Sequence, residues 1–234
     1  MKTLAAALCG VLVLGMHASA AQPYEMGLGA HLRLKAGVNT ASIPEGEKTF
    51  TTFNGIPDFG ATFYVPFDKE NNIGAIFEAG YLTNSYGQRF LAAGLLPDID
   101  ATVKLNYIGI SPNISLGVFS LGMELGIPVG GSISVPGFET SFLGQKFTTP
   151  DTTVSIKSDS MAVLVGLRAG VAIPLMQDEN GRLNLVILGS YALTGAVKNF
   201  SETDINGRPL SDSYNPKPVS LSIGVSYLFS LRKK

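Results

Sequence analysis

The stretch Tyr24-Glu25-Met26-Gly27-Leu28-Gly29-Ala30-His31-Leu32-Arg33-Leu34-Lys35-Ala36-Gly37-Val38 decides the fold. Every even-numbered residue in it is apolar, and every odd-numbered one is polar or glycine. A period of two describes an extended strand with two unlike faces. The run is about three times the usual globular strand of ~5–6 residues, and at ~3.3 Å per residue it reaches ~50 Å. A tilted strand that crosses an outer membrane and projects beyond it needs that length.

The pattern recurs. Residues 119–130 set Phe119, Leu121, Met123, Leu125, Ile127 and Val129 against Ser120, Gly122, Glu124, Gly126, Pro128 and Gly130. Residues 160–175 alternate from Met161 to Leu175 with Arg168 on the opposite face, and 219–231 alternate from Val219 through Tyr227 and Phe229 to Leu231. Weaker alternation covers 57–67, 73–84, 101–112 and 183–198. In 101–112 the apolar face is Ala101, Val103, Leu105 and Tyr107, and the pattern blurs from Ile108 to Pro112.

The connections between these eight segments alternate strictly. Long ones cover 40–56, 85–100, 131–159 and the residues after 198; short ones are Asp68–Asn72, a turn near Pro112 to Gly117, and Met176–Arg182. The expected fold is therefore all-β: an eight-stranded antiparallel up-and-down transmembrane β-barrel with short periplasmic turns and long extracellular loops. Closure removes exposed sheet edges. A soluble barrel of the lipocalin kind would turn its polar faces to water and enrich them in Lys and Glu, whereas these are Gly, Ser, Ala and Asn. Tyr24, Phe67, Tyr227 and Phe229 fall low on the apolar faces, and Phe59, Tyr81 and Tyr191 high, as two aromatic girdles would.

Residues 1–20 read as a signal peptide: Met1-Lys2, an apolar run from Leu4 to Met16, then Ala18-Ser19-Ala20. Residues 21–234 then form one outer-membrane barrel domain, and Cys9 leaves with the signal, so no disulfide or cysteine-ligated metal site operates. Mean hydropathy is +0.26, yet no stretch of the mature chain approaches the ~18–20 consecutive apolar residues of a spanning helix. With 17 basic and 18 acidic residues there is no electrostatic case for nucleic acid. Zinc, calcium and phosphate-loop motifs are absent from the sequence, and neither metal nor cofactor is expected.

Ser222-Ile223-Gly224-Val225-Ser226-Tyr227-Leu228-Phe229 carries the most specific pattern. Here the chain resembles the small outer-membrane β-barrels of Gram-negative bacteria, of the OmpA, OmpX and OmpW kind. The resemblance implies an insertion signal at Ser222, Gly224, Tyr227 and Phe229, read by the barrel-assembly machinery as a strand able to pair with its own. That family usually ends on the aromatic residue, whereas Ser230-Leu231-Arg232-Lys233-Lys234 follow here. The resemblance further implies a monomer in the cell outer membrane, among lipid and lipopolysaccharide.

On the inward faces the ionisable residues are few: Glu25 and Asp58 near strand ends, then His31, Arg33, Lys35, Glu78, Lys104, Glu124, Arg168 and Lys198. Counting up from the periplasmic ends brings His31, Arg33, Glu78, Glu124 and Arg168 to similar heights, and with Lys104 they form the expected polar cluster of a lumen filled by side chains. Buried charges of this sort are tolerated only when paired. Glu124 with Arg168 is the expected pair, with Glu78 taking Arg33 or Lys104 otherwise. Lipid-hydrolysing barrels need a serine with a histidine base; the mature chain has only His31, without a Ser-x-His or His-x-Ser neighbour, and no enzyme is expected. The outer loops carry large apolar residues, Phe138, Phe142 and Phe147 in one and Phe90 to Leu96 in another, suited to a surface partner or a small apolar ligand. The expected role is structural or surface interaction with a plugged lumen; the alternative is a narrow channel or lateral-entry transporter for a small apolar solute.

Overall fold

The computed structural model describes residues 25–69, 71–91, 97–142, 145–198, 200 and 211–231. The expected signal peptide, Tyr24, residues 92–96 and the tail from Arg232 lie outside these. The strands are β1 (Gly27–Asn39), β2 (Glu47–Phe50), β3 (Thr52–Phe53), β4 (Asp58–Asp68), β5 (Ile73–Phe90), β6 (Ile99–Leu116), β7 (Phe119–Val135), β8 (Phe138–Phe142), β9 (Gln145–Thr149), β10 (Thr152–Ile156), β11 (Leu164–Gln177), β12 (Gly181–Ala192) and β13 (Pro218–Ser230). Eight of them close a ring in the order β1, β4, β5, β6, β7, β11, β12, β13 and back to β1. Every ladder is antiparallel. The closing ladder runs unbroken from Gly27 opposite Ser230 to Asn39 opposite Pro218.

Burial shows which face is which. Leu28, Leu32 and Leu34 are 48–51 % exposed, while His31, Arg33 and Lys35 between them are 1–4 % exposed. Charge inside and leucine outside inverts a soluble barrel; it suits a ring whose outer solvent is lipid. The same outward set continues around the wall through Phe77, Ile110, Leu121, Leu167 and Ile223, all exposed. Phe59 and Tyr81 stack at 5.4 Å on one girdle. Tyr227 and Phe229 meet edge to face at 4.7 Å on the other. The short turns are tight: Gly117 takes φ +62° between β6 and β7, and the Asp178 carboxylate accepts the amides of Asn180 and Gly181 at 2.9 and 3.0 Å between β11 and β12.

Three neighbouring strands rise above the rest. β5 and β6 have 18 residues each and β7 has 17, against 11–14 for the other five of the ring. β2 pairs with the top of β5 and β10 with the top of β7, which makes a five-stranded extension on one side of the barrel. Where β4 has ended, β5 closes directly on β1: a Cβ on Gly37 would stand 2.2 Å from the Ser85 carbonyl oxygen, so only glycine fits there.

The structure corrects three expectations. Ala101, Val103, Leu105 and Tyr107 point into the barrel, at 2–6 % exposure, while Ile108, Ile110, Ile114 and Leu116 of the same strand point out. Apolar side chains turn to lipid inside the membrane and away from water above it. The switch sits at Asn106–Tyr107, where the β6–β7 register shifts. Met161 is likewise buried inside, at 3 % exposure, and not on the lipid face. β12 ends at Ala192, which leaves Lys198 exposed in the following loop and outside the lumen.

Candidate functional site

The period of β1 brings three basic side chains, His31, Arg33 and Lys35, into the lumen one above another. Asp58 comes from the outer end of β4, Glu78 from β5, Glu124 from β7 and Arg168 from β11. All seven are at most 7 % exposed. Arg33 grips Glu78 with both guanidinium nitrogens, Nη1 at 2.6 Å and Nη2 at 2.9 Å. Arg168 Nη1 reaches the other side of the same carboxylate at 2.8 Å. Lys35 Nζ lies 2.7 Å from Asp58 Oδ2 and 3.9 Å from Glu124 Oε2. Asp58 Oδ1 also accepts the Thr83 amide and hydroxyl, both at 2.7 Å.

The chemistry is that of a neutral, closed network. Arg33, Lys35 and Arg168 balance Asp58, Glu78 and Glu124, and each charge has an opposite within 4 Å. Unpaired, any one of them would cost several kcal/mol in this setting. His31 Nδ1 is 2.9 Å from Thr62 Oγ1 and 3.9 Å from Glu78 Oε1.

Of the residues expected to meet, His31, Arg33, Glu78, Glu124 and Arg168 come together. Glu124 and Arg168 do approach, at 3.7 Å, but the nearer carboxylate for Arg168 is Glu78, which sits between two arginines. Lys104 does not join them. At its height β6 turns Val103 and Leu105 inward, and the Lys104 ammonium lies beside Gly55 at the barrel exterior. Lys35 and Asp58 are the missed members: parity puts both on the inner face, yet only the spatial fold brings them level with Glu124. Gly224, opposite Arg33 across the closing seam, is required by contact, because a Cβ would stand 2.0 Å from the Leu32 carbonyl oxygen. Ser222 faces inward and donates to the Leu188 carbonyl at 3.3 Å, while Tyr227 and Phe229 belong to the lower girdle, beside the short turns.

A second layer lies above the charges. Leu82, Tyr86, Val103, Leu105, Tyr107 and Met161 pack with Leu164, Ala192 and Ala196 into an apolar core inside the barrel. No sequence signal separates this layer from a lipid face, since both read as alternating apolar residues. Below the charges remains a cavity of about 40 Å³ bordered by Glu78, Asn113, Arg168, Arg182 and Ser226.

A closed eight-strand ring with an apolar exterior and a charged interior defines an integral β-barrel of the outer membrane. Solved structures to which this chain is similar include the following three. Ail, the attachment invasion locus protein of Yersinia pestis, solved with the heparin analogue sucrose octasulfate, is 15% identical over 88% of this chain and 100% of its own, with a TM-score of 0.36. The outer membrane protease OmpT from Escherichia coli is 10% identical, over 91% of this chain and 99% of its own, TM-score 0.35. OprG from Pseudomonas aeruginosa is 14% identical, over 89% and 99%, TM-score 0.33. No protein-family model matches the chain, and no curated protein matches it.

Proposed function

We propose that this chain is a closed, non-enzymatic barrel that anchors a surface for interaction on the outer face of the membrane, its lumen plugged by side chains. The observation that carries this reading is the paired network, buried to the same degree from His31 to Arg168, with an apolar layer over it. An ion would have to break charge pairs and then cross a hydrocarbon layer. The outer extension supplies the interaction surface: Thr152, Thr153, Val154 and Ser155 of β10 are exposed, uncharged and, among the described residues, paired on one edge only. An edge of that kind is a template for another strand. Lipid and lipopolysaccharide would surround the girdles, with Ser222, Gly224, Tyr227 and Phe229 read by the assembly machinery during insertion of residues 21–234 as a monomer. Single-channel recording in a planar bilayer tests the reading. Flat traces are expected, and regular conductance steps in the unmodified protein would overturn it.

A second reading, lateral passage of a small apolar solute, draws on one feature of the wall. The β6–β7 ladder skips Ser111 and Pro112, and a crevice of about 270 Å³ beside them, lined by Leu28, Phe77, Ile110 and Pro112, faces the lipid. Uptake of an apolar solute into proteoliposomes, followed by light scattering, distinguishes this reading from the first.

A further inference from the structure

Above the apolar layer the barrel mouth holds a cavity of about 220 Å³. Its floor is the top of that layer, Tyr86, Val103, Leu105, Met161 and Ala196. Its rim is polar, with Lys48, Thr49, Gln88 and Ser160. The volume falls just below the ~300–1,000 Å³ of sites for drug-sized ligands, which selects something smaller.

The walls are fixed by hydrogen bonds to an extent that free surface loops do not need. Asn215 clamps Val197 from both sides, accepting its amide at 3.0 Å and donating to its carbonyl at 2.8 Å. The Ala196 amide donates to Pro216, and Met161 bridges to Val197. A Cβ on Gly195 would stand 2.1 Å from the Asn215 carboxamide, so glycine permits the clamp. On the facing wall Asn39 Oδ1 accepts the Ala41 and Lys217 amides at 3.0 and 2.9 Å, and Ser42 donates to Ser213. This is a pre-formed site rather than a gap between loops.

Charge sets the ligand class. Among the described residues that line the cavity, Lys48 is the one charged side chain. The neighbouring Glu47 carboxylate is engaged by Gln88. The ladder partner of Lys48, Arg89, is occupied by Asp100 at 2.5 and 2.8 Å. Lys48 itself forms no ion pair among the described residues.

We infer that this cup binds a small amphipathic monoanion, a carboxylate on a short hydrocarbon chain, with the chain on Met161 and its neighbours and the carboxylate at Lys48. It is a dead end, because the floor is packed. The inference goes beyond the closed-barrel reading and fails separately from it, since conductance tests one and occupancy the other.

The four methionines of the mature chain make the test specific. Met26, Met123 and Met176 are 40–67 % exposed on the lipid face, and Met161 is 3 % exposed at the cavity floor. In nanodiscs, with methionine methyls labelled with carbon-13, octanoate should shift the Met161 resonance saturably while the other three drift linearly as the acid partitions into lipid. Lys48→Gln should raise the half-saturation concentration for octanoate about fivefold, the scale of a partly exposed ion pair, and leave that for octanol unchanged. Ser160→Trp, at an exposed rim position, should abolish saturation by filling the mouth. A Met161 methyl that tracks the lipid-facing three would overturn the site. Equal effects of Lys48→Gln on octanoate and octanol would overturn the assignment of the anion.

Discussion

Arg33 and Glu78, 45 positions apart in sequence, are joined inside the barrel by a two-bond fork of 2.6 and 2.9 Å, and Arg168 closes on the same carboxylate from across the lumen at 2.8 Å. Glu78 is therefore the hub of the network and Glu124 a secondary partner.

Removing the hub leaves two buried guanidinium groups without their main counter-charge. Glu78→Gln should destabilise the barrel by ~3–5 kcal/mol, and Arg33→Met combined with it should cost clearly less than the two singles added. Urea unfolding in detergent micelles reads both. The coupling of Arg168→Met to Glu78→Gln should exceed its coupling to Glu124→Gln, in keeping with 2.8 against 3.7 Å; the reverse order would displace Glu78 from the centre.

Charge on the outer wall should be felt where lipid is. Leu167→Arg, on the exposed face of β11, should cost ~2–4 kcal/mol if the position lies near the bilayer midplane. Lys104→Ala, at the exterior above it, should stay within ~0.5 kcal/mol. Matching losses at the two sites would contradict the placement of Lys104 outside the network.

The β1–β5 contact predicts a backbone-limited position. Gly37→Ala should destabilise by ~1–3 kcal/mol, because its methyl meets the Ser85 carbonyl and the two strands must separate. Gly55→Ala meets only the Lys104 ammonium, at 4.0 Å, and should be close to neutral. Thermal unfolding of the two variants side by side is sufficient.

Orientation is open to labelling. Cysteine at Asp159, exposed in the connection between β10 and β11, should react with an impermeant maleimide on intact cells. Cysteine at Asn180, exposed in the short β11–β12 turn, should react only after the membrane is permeabilised. Labelling in the opposite order would invert the barrel.

The strands were legible wherever one face is glycine, serine or charged and the other apolar, as in β1, β7 and β13. Five of the network residues could be read from parity and height alone. The face of Ala101–Tyr107 could not. Alternation states that two faces differ and is silent on which solvent each meets, and β6 passes from lipid to water partway along. The blur from Ile108 onward marks that passage. Lys35 and Asp58 escaped for a related reason: height counted along separate strands ignores the stagger that tilts one against another. The mouth cavity has no sequence signature, since its walls come from β1, β2, β5, β6, β7, β10 and three separate loops.

The ring order gives the charge network a role in the timing of assembly. Lys35 on β1 and Glu124 on β7 stand four strands apart whichever way the ring is followed, which in an uncurled sheet is ~19 Å; in the barrel they are 3.9 Å apart. Glu78 and Arg168 are separated by three strands and meet in the same way. These contacts exist only once the sheet has curled into a ring. A half-made sheet would carry bare charges on its concave face and be held out of the hydrocarbon, so ring closure and entry into the membrane are bound to proceed together.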